Sequence, residues 1–289
     1  MWCGSENLLP SYLFIYRMST SSKLMIIAVI ATISILRIDA APCTWGKNSG
    51  SCFDSNLNEV PPQLPAEVVY LDICQNNIKL LSSTSLTNYS HLIKLSIVSC
   101  KLTNIHKDTF KSLNLLQELN LNTNSIHELQ LGTFNGLDKL GKLHISENSI
   151  TSISPNTFEY LKTLEELDLS HNSLENITEK IFNGLHALQI LDLRSNTIET
   201  IHSASFEDLT ELHSLILSHN EINEIQPKTL ESLYSLTLLD LSWNKLHVLK
   251  KDIFVSLNTL KLLYLQHNEI TTVPVDTFEG LSNLEDIDL

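Results

Sequence analysis

A 24-residue step runs through this chain without a slip. Leu71, Leu95, Leu119, Leu143, Leu167, Leu191, Leu215, Leu239 and Leu263 stand at that interval, and Ile287 follows at the next. Such a period excludes an ordinary globular core, because each unit is one supersecondary element that must bury its apolar face on its neighbours. The predicted form is one elongated array. A length of 289 residues allows one or two domains, and 43% hydrophobic composition suffices for a continuous core.

Residues 164–174, LEELDLSHNSL, display the unit most clearly. The alternation Leu167-Asp168-Leu169 is a period-two signal, so a short strand is expected with both leucines inward and Asp168 outward. Leu164, Asn172, Leu174, Ile177, Phe182 and Leu185 complete the buried set. Phe110, Phe134, Phe158, Phe182, Phe206, Phe254 and Phe278 recur at one position, with Leu86 and Leu230 filling it in two other units. Stacked rings there predict a spine on the convex side. Asn76, Asn124, Asn148, Asn172, Asn196, Asn220, Asn244 and Asn268 share another place, flanked by buried leucines. A buried amide needs partners, so this column is expected to bond backbone groups of its own and the adjacent coil. Cys100 replaces asparagine in one unit.

The N-terminal end has a different character. Residues 24–36, LMIIAVIATISIL, are apolar or small, preceded by Lys23 and followed by Arg37 and small residues ending at Ala40 and Ala41. This is short for the roughly 20 residues that span a bilayer and fits a secretory leader, with an uncleaved anchor as the alternative. Export agrees with the cysteines, since removing the leader leaves four: Cys43, Cys52, Cys74 and Cys100. Cys43 and Cys52 precede the repeats and are expected to pair in a cap. For Cys74 and Cys100, a mutual bond and a buried thiol at Cys100 both stand open. Asn88-Tyr89-Ser90 and Asn176-Ile177-Thr178 are glycosylation sequons, beyond the strands of their units.

The pattern LxxLxLxxN/CxL at this period, with Phe and Leu closing each unit, resembles the extracellular type of leucine-rich repeat. The resemblance implies an α/β fold: a right-handed solenoid with a parallel concave sheet and a mostly irregular or short-helical convex side. NLNEVPPQLP resembles the lead-in of the family's N-terminal cysteine cap. The expected domains are a signal peptide at 1–40, with Met18 as an alternative start, a cysteine cap at 41–66, and repeats at 67–289. Nine repeats are complete; the tenth stops before its asparagine. That break predicts a fragment of a longer protein, with any membrane attachment in a region after Leu289.

Function is expected to be recognition without chemistry. Gly-rich phosphate loops, HExxH and a nucleophile elbow are absent from the sequence, and Gly136, Gly184 and Gly280 are spent in FNGL and FEGL turns. Catalysis by the column Asp168-Asp192-Asp240 is rejected, because an open face cannot exclude water. The formal net charge of −14 argues against nucleic acid. His171, His219 and His267 share a position in alternate units, roughly 10 Å apart across two strand spacings and too far to share an ion. No cofactor and no metal are expected.

On the concave face, units three to five read as polar, whereas units six to nine offer an apolar column, Ile190-Ile216-Leu238-Leu262, beside Arg194, Trp243 and Tyr264. An apolar patch with aromatic and arginine anchors is the predicted site for a protein or peptide ligand; self-association into a homo- or heterodimer and mere local packing are its rivals. The resemblance implies a secreted protein or one on the extracellular side of the plasma membrane. It implies innate immune or receptor-type recognition, as in Toll-like ectodomains and insect leucine-rich immune proteins. The alternatives are cell adhesion or neural guidance, and a secreted inhibitor or carrier.

Overall fold

The molecule, seen in a computed structural model, is described for residues 43–289. The expected leader, residues 1–40, lies outside them. From the cap onward, short strands follow one another into a twelve-stranded sheet: Thr44–Trp45, Ser49–Ser51, Tyr70–Asp72, Lys94–Ser96, Glu118–Asn120, Lys142–His144, Glu166–Asp168, Ile190–Asp192, Ser214–Ile216, Leu238–Asp240, Leu262–Tyr264 and Asp286–Asp288. The first pair is antiparallel and every later pair is parallel. Register advances by one unit, so Leu167 faces Leu143 on one side and Leu191 on the other. The sheet is therefore the 24-residue period made visible.

Central leucines of the strands are buried and the residues beside them are mostly half-exposed, as the alternation requires. Behind the sheet lies one continuous apolar core. Fully burying each leucine is worth about 1.5–3 kcal/mol, and a coil gains it only against its neighbours. Across the core, Phe110, Phe134, Phe158, Phe182 and Phe206 stack with centroids 5.6 to 6.3 Å apart. Buried Leu230 interrupts the stack before Phe254 and Phe278, which pair at 6.0 Å. The convex side is made mainly of turns, with a single 3-10 helix, Pro227–Leu230, among the described residues. No helix among them is long and apolar enough to cross a membrane.

The asparagine column holds adjacent coils together. In Asn172, Nδ2 donates to the carbonyls of Ile145 and Leu169, each at 3.0 Å, while Oδ1 accepts the Ile150 N–H at 3.0 Å. Ile145 and Ile150 belong to the preceding coil, so one side chain satisfies two buried groups of its neighbour and, with the Ser170 carbonyl at 3.2 Å, two of its own. Cys100 takes the asparagine's place in this column. It donates to the Ile73 carbonyl at 3.0 Å, one coil back, but has no carbonyl oxygen with which to accept an amide proton. Cys74 is fully buried, with its sulfur 3.1 Å from Ser96 Oγ.

Two glycines show what close packing demands. Gly136, in the FNGL turn, has φ +87°, and a Cβ there would lie 2.5 Å from the Lys111 carbonyl of the previous coil. Gly50 lies in the cap, opposite Leu71 in register. A Cβ on it would fall 2.3 Å from Cζ3 of Trp45, so the indole takes the space a side chain would fill and closes the end of the first coil. A disulfide between Cys43 and Cys52 ties this hairpin down.

Candidate functional site

Each concave strand presents two outward residues, and strand register sorts them into two columns. The first runs Lys94, Glu118, Lys142, Glu166, Ile190, Ser214, Leu238, Leu262 and Asp286. The second runs Ser96, Asn120, His144, Asp168, Asp192, Ile216, Asp240, Tyr264 and Asp288. This corrects the expected apolar column. Ile216 belongs to the second column and Ser214 stands between Ile190 and Leu238 in the first. Ile190 precedes its central leucine, Leu191, whereas Ile216 follows Leu215, so a strict 24-residue step already separates them. The patch is a staggered set rather than a stripe.

The second column also has a structural duty. Asp168 Oδ1 accepts the Ser170 N–H at 2.9 Å, Asp240 Oδ1 accepts that of Ser242 at 3.0 Å, and Asp192 Oδ1 accepts that of Arg194 at 3.0 Å. Asp72 and Asn120 do the same for Cys74 and Asn122, at 2.9 and 3.0 Å. The acid column thus ends strands by capping the amide two residues on. Ile216 and Tyr264 cannot make this bond and forgo about 1 kcal/mol each. Ser146, Ser170, Ser218 and Ser242, two residues after the second column, are buried. Gln266, in the serine place, keeps its Oε1 buried without a hydrogen-bond partner among the described residues.

Directly before each asparagine the chain turns with φ between +52° and +59°, from Gln75 through His267. This left-handed position favours glycine, asparagine and histidine, and a bulky residue there is strained. Trp243 occupies it with φ +54° and is 48% exposed. Its ring lies between two histidines, with centroids 3.8 Å from His267 and 5.1 Å from His219. Position in alternate units, which made a shared metal between the histidines implausible, makes room for the indole between them. Among the described residues, no group of three or more His, Cys, Asp and Glu is placed to hold a metal ion.

Arg194, also predicted for the site, is exposed but folds back on Asp192, donating through both Nε and Nη2 to Oδ2. Asp192 is buried, and that burial holds its carboxyl above the usual carboxylate range against the opposing pull of Arg194. Leu238, Leu262, Ile216 and Tyr264 are half-buried and Ile190 is exposed. Across the boundary at Glu166, the sheet carries opposite charges in sequence. Lys94 pairs with Glu118 and Lys142 with Glu166, each at 2.6 Å. The hydrogen bond from Lys142 to Glu166 raises the lysine above its ordinary range, with Glu166 charge and then Glu118 adding to it.

A family model described as Leucine rich repeat matches residues 66–126, 90–141, 116–174, 162–222, 188–246, 210–270 and 235–289. Epiphycan from Gallus gallus and from Homo sapiens are each 31% identical over 87 residues, or 30% of this chain. That match spans 27% of each relative's length. The solved octameric complex of Latrophilin 3, Unc5D and FLRT2 contains a chain similar at TM-score 0.71 and 24% identity, over 86% of this chain and 82% of that one. A chain in the TLR13-ssRNA13 complex is similar at TM-score 0.52 and 24% identity, over 77% of this chain and 40% of its own. At these identities the likeness is one of fold. Period, asparagine ladder and matched span agree: this chain belongs to the leucine rich repeat family.

Proposed function

We propose that this protein is an extracellular recognition module that docks a protein partner on the C-terminal half of its concave sheet. Ile190, Arg194, Ile216, Leu238, Trp243, Leu262 and Tyr264 form the contact set. One observation carries the reading: the concave columns turn apolar and aromatic in this half, at Ile190, Ile216, Leu238, Leu262 and Tyr264, and some of these choices are locally unfavourable. Ile216 and Tyr264 give up a strand-ending hydrogen bond, Trp243 sits in a left-handed turn, and Gln266 leaves a buried oxygen without a donor. Local conflicts of this kind mark functional surfaces, because only a gain elsewhere offsets them.

The FLRT2 leucine-rich domain, whose fold this chain resembles, was solved in a complex with two other proteins, which supports a protein partner. TLR13 was solved with a single-stranded RNA. Here a net charge of −14 opposes a polyanion and favours a partner with basic groups around an apolar centre. The Cys43–Cys52 disulfide supports an oxidising, extracellular setting reached through the leader at 1–40. Sugars on exposed Asn88 and Asn176 would leave the concave face open. Immune recognition, adhesion or guidance, and a secreted carrier all use such a face; the partner's identity separates them.

A screen of the full chain against an array of extracellular proteins tests the reading. A partner whose affinity falls at least about 30-fold on joint replacement Trp243→Ala and Tyr264→Ala supports it. Unchanged affinity in that variant refutes it. A second reading, self-association through the same patch, predicts instead a concentration-dependent dimer in sedimentation that the double variant abolishes.

A further inference from the structure

We propose that Asn135 is a self-modifying site, where the folded chain converts asparagine to aspartate or isoaspartate without an enzyme, and that its twin in sequence, Asn183, is protected. The chain contains two Asn-Gly pairs, Asn135-Gly136 and Asn183-Gly184, each within the same four residues, Phe-Asn-Gly-Leu. Such pairs are open to ring closure, because glycine has no side chain to keep its amide nitrogen from the asparagine Cγ. The two turns are closely matched. Both glycines have φ +87°, and both asparagines and both glycines are half-buried. In each turn the asparagine Nδ2 donates to the preceding coil, to Asp108 Oδ1 at 2.9 Å from Asn135 and to Asn156 Oδ1 at 2.8 Å from Asn183. What separates them is the glycine N–H.

The reaction balances with water alone. The Gly136 nitrogen attacks Cγ of Asn135, the N–Cγ bond forms, the Cγ–Nδ2 bond breaks, and Nδ2 leaves as ammonia with the amide proton. Water then opens the cyclic imide at one of its two carbonyls, giving aspartate or isoaspartate. Loss of the glycine N–H proton is the part that the fold can hinder. At Gly184 that N–H donates to Oδ2 of Asp208 at 2.7 Å, so a carboxylate holds the proton and opposes negative charge on the nitrogen. Asp208 stands 24 residues after Gly184, on the next coil. The same step from Gly136 leads to Tyr160, which is exposed and carries no carboxylate. Among the described residues the Gly136 N–H has no acceptor, and the buried Oδ1 of Asn135 has no donor. Conversion sets a second carboxylate against Asp108, so a bond between adjacent coils becomes a repulsion.

Peptide mapping by mass spectrometry, on the full chain held folded in warm, mildly alkaline buffer, follows both sites at once. Asn135 is expected to convert about tenfold or more faster than Asn183, the margin set by one hydrogen bond to a charged group. In denaturing urea the two rates should converge, since the four-residue sequence is the same. Asp208→Ala should bring the Asn183 rate up to that of Asn135, and Tyr160→Asp should slow Asn135 by about tenfold. Should Asp208→Ala lose the wild-type circular dichroism spectrum, Tyr160→Asp, an exchange at an exposed position, decides alone. No conversion at Asn135, or equal or reversed rates in the folded chain, overturns the proposal. So does a gap that persists in urea, or a folded Tyr160→Asp chain that converts Asn135 at the wild-type rate.

Discussion

The two halves of the concave sheet are built on one interior and yet present opposite surfaces. From Lys94 to Glu166 the first column alternates lysine and glutamate across register, and each charge meets an opposite one on the neighbouring strand. From Ile190 onward the same column turns apolar, and the second column exchanges strand-capping side chains for Ile216 and Tyr264. The difference is one of satisfaction. The first half has answered its own charges, so a partner gains little by displacing them; the second leaves apolar area that another molecule can cover.

If the halves differ only at the surface, interior changes must cost the same in both. Asn148→Leu and Asn220→Leu each strand backbone groups of two coils, and each should lower stability by about 3 kcal/mol in chemical denaturation. A gap of more than about 1 kcal/mol between them would break the comparison. Partner binding should separate the halves most sharply. The Trp243→Ala, Tyr264→Ala variant is expected to lose about 2 kcal/mol or more of affinity, whereas Lys142→Ala with Glu166→Ala should change it by less than about 0.5 kcal/mol. Equal losses would mean that the charge ladder is part of the interface.

Asp192, next to the boundary, gives a smaller effect whose sign is the test. Burial raises its carboxyl above the ordinary range. The folded state therefore binds the proton more readily than the unfolded chain, so the contribution is stabilising below the ordinary carboxylate pKa and is lost as pH rises through the raised value. Relative to Asp192→Asn, the wild type should gain stability on acidification in that window. The opposite slope would show that Arg194 outweighs burial. Smallest of all is Glu166→Gln, expected to cost under about 0.5 kcal/mol and to flatten the dependence of stability on salt. A larger loss would mean that the ladder carries structural weight its exposure does not suggest.

Much of this was legible before any coordinates. Leu167 and its counterparts, the asparagine ladder and the phenylalanine spine follow from a strict period, because one unit is one coil and equal positions must stack. Cys43 and Cys52 likewise stood out by their place ahead of the repeats. Trp45 did not, since nothing in the sequence says that an indole fills the space above Gly50. Nor did the burial of Ser170 and Ser242, which depends on how tightly the turn closes over them.

The sequence by itself determined the solenoid, the identity of its core and which short stretches line the concave sheet. Those are properties of one repeating coil, and a 24-residue step brings each position over its equivalent. Only the tertiary structure decided how the side chains meet. It stacked Trp243 between two histidines, folded Arg194 back on Asp192 and turned the aspartates into strand caps. Those outcomes depend on side-chain length and direction, which a period does not specify.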